Sequence, residues 1–541
     1  MEGLMMDEFP LTIAPILART ERVFPRVAIS SRLPDGSVRR TDYGTVIRRG
    51  RSLAAAIRAA GLGGGDRVGT LMWNHAGHLE AYLGVPASGA VLHTLNLRLP
   101  PDQLAYVIDH ARDRWILVDD VLLPLLARIR EKIHPEKIVV VPFSGAPVPD
   151  GFDDYEQLLA AHAPLDPLPE LNERDAAGLC YTSGTTGRLK GVLYSQRSLV
   201  LHSIVAASTL DLRQRDAALV VVPMFHVNAW GLPYVMTLLG GRMVLPGRQL
   251  DPPNLLDLME QERVTYAAGV PSIWVGILEA LEGHPGRCKL APELRMLVGG
   301  SAVPETMIRR FAALGIDLIH GYGMTESSPL ATVNVPKEGM RDWEPDRLFP
   351  LRARQGLPGP FVEIRLRAEN RDLPWDGKTV GELELRGPWI ARAYFHDSDP
   401  DKWTSDRWMR TGDVATIDPE GYVQIVDRSK DLVKSGGEWI SSVALENALV
   451  AHPAVREAAI VAKPDPKWTE RPLAFVVLKE GANVTGDELR EFLAPQFPKW
   501  WLPDEVRFVS ELPKTSTGKV SKLTLRGTLG QAAGRGVTGA S

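Results

Sequence analysis

Apolar residues recur at helical spacing over residues 45–60, and the run stops at a turn cluster of glycines at 61–65. A compact apolar run follows at 67–72 (RVGTLM) and predicts a buried strand. Helical spacing resumes around Glu80 and Tyr82, and WILV at 115–118 predicts another strand. The alternation continues through strand-like runs at 217–223, 264–270 and 296–299. Strands alternating with helices predict a mostly parallel, doubly wound α/β architecture. After about Gly356 the rhythm changes. Residues 361–367 and 381–386 read as strands of a small antiparallel sheet or barrel, and 421–426 as a strand leading into the charged stretch Asp427-Arg-Ser-Lys-Asp431. Beyond it the pattern predicts a helix at 443–449, strands at 457–462 and 474–478, and a helix at 487–493. That is enough for a separate α+β domain of about 110 residues. The tail after Arg526 is rich in Gly and Ala and is expected to fray.

The expected organisation is a large N-terminal domain over 1–426, made of layered α/β sheets plus a small β subdomain. A hinge at 427–432 and a smaller, mobile α+β domain over 433–541 follow. A chain of 541 residues has room for three or four units of roughly 150 residues each. The net charge of −4 is spread along the chain, with no long basic run and no acidic tail, so nucleic acid is not an expected partner. Cys180 and Cys288 form no CxxC pair and no metal-ligand cluster, and so few cysteines predict a reducing, cytoplasmic setting. Glu2, Asp7 and Glu8 stand where a signal peptide carries basic residues. The most apolar stretch, 217–245, is interrupted by His226, Asn228 and several Pro and Gly, so no transmembrane segment is expected.

The sharpest chemical feature is Tyr181-Thr-Ser-Gly-Thr-Thr-Gly-Arg-Leu-Lys-Gly191. It follows a strand-like run at 177–181 and precedes a helix-like run at 198–207. Glycines let backbone N–H groups converge on an anion, and hydroxyls add donors. A helix start beyond the loop favours negative charge. Thr182, Ser183, Gly184, Thr185, Thr186, Gly187 and Lys190 are therefore a candidate phosphate-cradling loop. It is not the GxxxxGK[ST] loop, because Gly191 follows Lys190.

This string resembles the signature loop of the adenylate-forming superfamily, which holds acyl-CoA synthetases, luciferases and the adenylation domains of peptide synthetases. Four further segments resemble that family's motifs, in the same order along nearly the whole chain. They are His320-Gly-Tyr-Gly-Met-Thr-Glu326, Arg410-Thr-Gly-Asp413, Asp427-Arg-Ser-Lys-Asp-Leu-Val-Lys-Ser-Gly-Gly437 and Pro513-Lys-Thr-Ser-Thr-Gly-Lys519. The resemblance implies that ATP and an acid form an acyl-adenylate with loss of pyrophosphate, and that CoA then takes the acyl group. It implies Mg²⁺ held by Thr182 and Glu326, both hard oxygen donors. It places Tyr322 on the adenine, Asp413 on the ribose hydroxyls and Arg428 nearby, with His320, Gly321 and Thr325 along the adenylate. Lys430 is then the hinge residue, and Lys434 and Trp439 close over the adenylate. Lys519 is the catalytic lysine that enters for adenylation only. Family relatives are often homodimers. Alone, Glu326 reads equally as a first-turn helix acid and Asp413 as a turn residue.

For the acid, Met224-Phe-His-Val-Asn-Ala-Trp230 and Val298-Gly-Gly-Ser-Ala302 resemble bacterial long-chain fatty-acyl-CoA synthetases. The resemblance makes Val227 and Trp230 acyl-tunnel residues, with Trp230 as a gate, and Gly300 a position that leaves room for the chain. Leu189 and His320 depart from common family residues. A medium- or long-chain fatty acid is the expected substrate. The alternatives are an aryl, branched or short-chain acid, a carrier-protein thiol in place of CoA, and a non-catalytic adenylate sensor.

Overall fold

The computed structural model describes residues 5–6, 8–182, 189–369, 371–436, 438–514 and 520–534. Among them the strands form four sheets. The first has nine strands. A parallel run passes from Ala28–Arg32 through Arg242–Leu245, Ala217–Val220, Tyr266–Gly269 and Arg295–Val298 to Asp317–Gly323, with antiparallel strands at both edges. The second has seven strands. All neighbours are parallel except Ala176–Tyr181 and Gly191–Ser195, which pair antiparallel at one edge. The doubly wound pattern expected from the alternation is thus distributed over two sheets, because alternation does not say which strands pair.

One apolar core spans both sheets and the helices between them. The helix Ala76–Ala87 is buried at every position from His78 onward, as a helix with no polar face must be. It crosses the helix Tyr43–Ala59 closely, and a β-carbon on Gly84 would sit 2.3 Å from the Gly50 carbonyl oxygen. Helix starts are set by local chemistry. Asp42, Ser195, Asp251 and Ser441 each accept an N–H in the first turn of the helix that follows. Each such cap stabilises by about 1 kcal/mol.

The third sheet has five strands and is antiparallel. It runs through Glu363–Ala368, Gly381–Arg386 and Met409–Ile417 to Val423–Arg428. The fourth joins Val433–Ser435, Glu438–Ile440, Val455–Asp465, Thr469–Leu478 and Glu505–Phe508. The helices Ser442–Val450 and Gly486–Leu493 belong to this C-terminal part, and the second opens with a capping box of Thr485 and Glu488.

Within the tail expected to fray, residues 527–534 continue a helix over Lys522–Gly534, and 535–541 lie outside the described residues. Lys522 anchors its first turn, donating to Ser442 Oγ at 2.5 Å and pairing with Glu446 at 2.7 Å. The helix-like run at 198–207 is the helix Gln196–Thr209, and a strand the pattern did not show, Gly191–Ser195, precedes it and pairs antiparallel with Ala176–Tyr181. No helix among the described residues is long and apolar enough to cross a membrane.

Candidate active site

The motif residues gather where parallel strands end. Thr182 follows Ala176–Tyr181, the 224–230 segment follows Ala217–Val220, Gly299 and Gly300 follow Arg295–Val298, and the Gly321–Glu326 stretch ends Asp317–Gly323. The carboxyl ends of strands in open α/β sheets are where ligands bind.

At the base of the phosphate loop, Thr182 N donates to Lys190 O at 2.9 Å and closes the hairpin. Ser183, Gly184, Thr185, Thr186 and Gly187 lie outside the described residues. Leu189 is buried and anchors the returning strand in the core beside Phe225. Lys190 Nζ lies 2.6 Å from Asp399 Oδ2 and 4.8 Å from the centre of the Tyr394 ring.

Thr325 and Glu326 occupy a short 3₁₀ turn, Thr325–Ser327. Tyr194 Oη donates to Thr325 O at 2.9 Å, and Ala391 N donates to Glu326 O at 2.7 Å. Glu326 is buried, and its Oε1 accepts the Tyr394 hydroxyl at 2.5 Å. A continuous set of contacts thus runs from Thr182 through Lys190 and Tyr394 to Glu326. Among the described residues no three His, Cys, Asp or Glu side chains gather as a metal cluster. One hydroxyl and one carboxylate suit Mg²⁺, which takes the rest of its shell from phosphate and water.

The expected nucleoside residues also meet. Tyr322 Oη donates to Asp413 Oδ2 at 2.5 Å, and Arg428 Nε stands 3.6 Å from Asp413 Oδ1. Asp413 and Arg428 are partners across neighbouring strands, so sheet register sets their approach. Burial, then the Asp413 carboxylate, pushes the Tyr322 phenol well up, and it remains a donor.

His320 turns its ring to a backbone carbonyl. Its Nδ1 is 2.9 Å from Ala353 O, and burial lowers its pKa to about 4. The ring is a neutral group spent on the backbone of the 353 turn, and Asn334 N takes its carbonyl. Gly321 pairs with Val333 in the sheet.

The expected acyl residues sit on an unusual backbone. Val227, Asn228, Ala229 and Trp230 all have positive φ, from 46° to 55°, and make one left-handed turn. Such a turn costs roughly 1–2 kcal/mol per residue with a β-carbon. Val227 is buried, and Trp230 is half-buried against the core. A β-carbon at Gly299 would lie 2.7 Å from Gly321 O and 3.4 Å from Trp230 Cη2, so only glycine lets the indole edge and the strand end meet there. Gly300 has φ of 87° and turns the chain away from the strand.

Around 427–432, the expected hinge, Asp427 Oδ2 accepts Ser442 N and Ser442 Oγ, each at 2.6 Å, and Val426 O accepts Ser441 Oγ at 2.6 Å. Arg526 pairs with Asp431 at 2.7 Å and reaches Lys430 O at 3.3 Å. Partial burial and then Arg428 lower the Lys430 pKa. Lys434 and Trp439 face each other across a hairpin, with the ammonium 5.9 Å from the indole. Trp439 is 51% exposed, so in this arrangement the pair faces solvent instead of covering the nucleoside residues. Lys519 lies outside the described residues. Lys514 and Val520, which flank its loop, bridge to each other.

Tyr394 and Asp399 were missed by sequence reasoning. A tyrosine and an acid in a polar loop carry no pattern, and the string Tyr394-Phe-His-Asp-Ser-Asp399 shows its use only when folded against Glu326.

Residues 18–395 match the AMP-binding enzyme family, and residues 444–519 match the AMP-binding enzyme C-terminal domain. A long-chain-fatty-acid–CoA ligase of Thermus thermophilus is 48% identical, over 97% of this chain and 98% of its own. A medium-chain-fatty-acid–CoA ligase of Ectopseudomonas oleovorans is 43% identical over 97% of both. A 3-methylmercaptopropionyl-CoA ligase of Ruegeria lacuscaerulensis is also 43% identical, over 97% of this chain and 98% of its own. Among solved structures, an anthranilate CoA ligase in complex with anthranoyl-AMP superposes with a TM-score of 0.87 at 25% identity, covering 98% of this chain and 100% of that one.

Proposed function

The chain belongs to the AMP-binding enzyme family, and from that premise we propose that it is an ATP-dependent CoA ligase that activates a medium- or long-chain fatty acid through an acyl-adenylate. Two sets of contacts support the reaction: Lys190 and Glu326 both meet Tyr394, and Tyr322 bonds Asp413. The fatty acid is favoured by relatives that name long- and medium-chain acids.

In this reading Tyr322 takes the adenine and Asp413 the ribose hydroxyls. The loop amides and Lys190 hold the triphosphate. Thr182 and Glu326 would hold Mg²⁺, which when bound would neutralise charge along the phosphates. The fatty carboxylate attacks the α-phosphorus, an O–P bond forms, and the bond to pyrophosphate breaks. Lys519 brings positive charge to that displacement. The C-terminal part then turns about Lys430. The CoA thiolate attacks the acyl carbon, a C–S bond forms, and AMP leaves with the electrons of the broken C–O bond.

The test is pyrophosphate release from ATP with a panel of acids, with and without CoA. The panel holds straight-chain acids from short to long, a branched acid, a methylthio acid and benzoate. Acid-dependent pyrophosphate release without CoA, strongest for medium or long straight chains, is the expected result. Preference for benzoate or a short acid would remove the fatty-acid assignment. Release that strictly requires CoA would remove the acyl-adenylate route.

A further inference from the structure

The segment 389–403 lies across the phosphate end of the site and is stitched to it repeatedly. Ser328 Oγ donates to Trp389 O at 2.8 Å, and Phe395 N donates to Gly191 O at 2.8 Å. Trp403 Nε1 donates to Ala391 O at 2.6 Å, and its ring meets Tyr394 edge-on at 5.1 Å. These contacts fix the Tyr394 ring before any ligand arrives. We propose that Tyr394 is a positioning residue for ATP and metal. Its hydroxyl sets the rotation of the Glu326 carboxylate, and its ring face sets the place of the Lys190 ammonium. The inference rests on the reading of Glu326 and Lys190 as groups of the ATP site.

The geometry supports both halves. With Oε1 held by the phenol at 2.5 Å, Glu326 has its other oxygen left to turn toward a cation. The carboxylate loses rotational freedom on folding instead of on binding, which is how preorganised groups strengthen a site. Lys190 lies over the aromatic face, within cation–π range. Asp399, on the same segment, keeps its charge compensated until phosphate arrives.

The experiment compares the full-length protein with Tyr394→Phe, Glu326→Gln and the double variant. Mn²⁺ is titrated against enzyme and ATP, and free Mn²⁺ is read by electron paramagnetic resonance. Metal-free ATP binding is read by calorimetry. Loss of a hydrogen bond to a carboxylate should raise the Mn²⁺ midpoint of Tyr394→Phe about tenfold. Metal-free ATP binding should hardly move, because the ring under Lys190 remains. The double variant should be no worse than Glu326→Gln alone, since the phenol acts through that carboxylate. An unchanged midpoint in Tyr394→Phe, alongside a large shift in Glu326→Gln, overturns the proposal and leaves the site reading intact. An unchanged midpoint in Glu326→Gln overturns the site reading, and the proposal with it. If Tyr394→Phe does not fold, ring-fluorinated tyrosine at 394 keeps the shape and changes the donor. There an unchanged midpoint also overturns the proposal.

Discussion

One carboxylate oxygen of Asp427 receives both the backbone N–H and the hydroxyl of Ser442, each at 2.6 Å. The end of the third sheet is thereby tied to the first turn of the first C-terminal helix, and both residues are buried. Asp427→Ala leaves those donors without an acceptor and should cost about 1–3 kcal/mol in urea unfolding. Ser442→Ala removes one donor of the pair and also the hydroxyl that accepts from Lys522, and should cost about 1–2 kcal/mol. No loss of stability in Asp427→Ala would show that Asp427 is not the anchor.

Lys519→Ala should nearly abolish acyl-adenylate formation from ATP and acid, while supplied acyl-adenylate and CoA still give thioester at a substantial rate. Lys430→Pro fixes φ at the pivot and should slow the thioester step more than adenylation. Separate single-turnover assays of the two half-reactions check both. Equal damage to both steps in Lys519→Ala means that one rigid site does all the chemistry.

Trp230→Ala should change chain-length preference more than it changes the KM for ATP. A purely packing role predicts a different outcome, a stability loss of roughly 3–5 kcal/mol with selectivity unchanged. Acid selectivity and melting temperature measured on the same preparation distinguish the two.

Stability should fall on acidification through a window set by buried histidines. His320 and His202 have pKa values lowered to about 4, and His78 to about 3, with burial the leading cause in each. An unfolded histidine titrates near 6.5. Between these values the unfolded chain binds the extra proton, so stability rises with pH there. The slope is about 1.4 kcal/mol per pH unit for each such group. His320→Gln keeps a donor for Ala353 O and removes the titration. The difference in urea midpoint between pH 4.5 and pH 7 should shrink in that variant. An unchanged difference would show that His320 does not contribute to the slope.

The strands and helices of the large α/β part were legible because buried parallel strands and amphipathic helices leave different periods. The run at 67–72 matches the observed parallel strand Arg67–Leu71. The split into two sheets was not legible, since pairing is decided by contacts far apart in sequence. The hairpin under the phosphate loop was missed for a related reason. Gly191–Ser195 is too short to separate by pattern from the helix that follows it. Tyr322, Asp413 and Arg428 were named from motifs, and the structure brings them together. The motif also nominated His320, whose ring bonds the Ala353 carbonyl, a contact 33 residues away in sequence that no local pattern shows. The left-handed turn at Val227–Trp230 carries no compositional signal, as none of its residues is Gly.

Phe395 N bonds the Gly191 carbonyl at the outer edge of the seven-stranded sheet. Its consequence falls on biosynthesis. The edge strand Gly191–Ser195 leaves the ribosome long before the segment that covers it. Unpaired strand edges are templates for pairing with other chains, and chains fold from the N-terminus as they emerge. The nascent chain therefore carries an open edge until the 389–395 stretch arrives. Truncations that stop short of it should aggregate even though every strand of that sheet is already present.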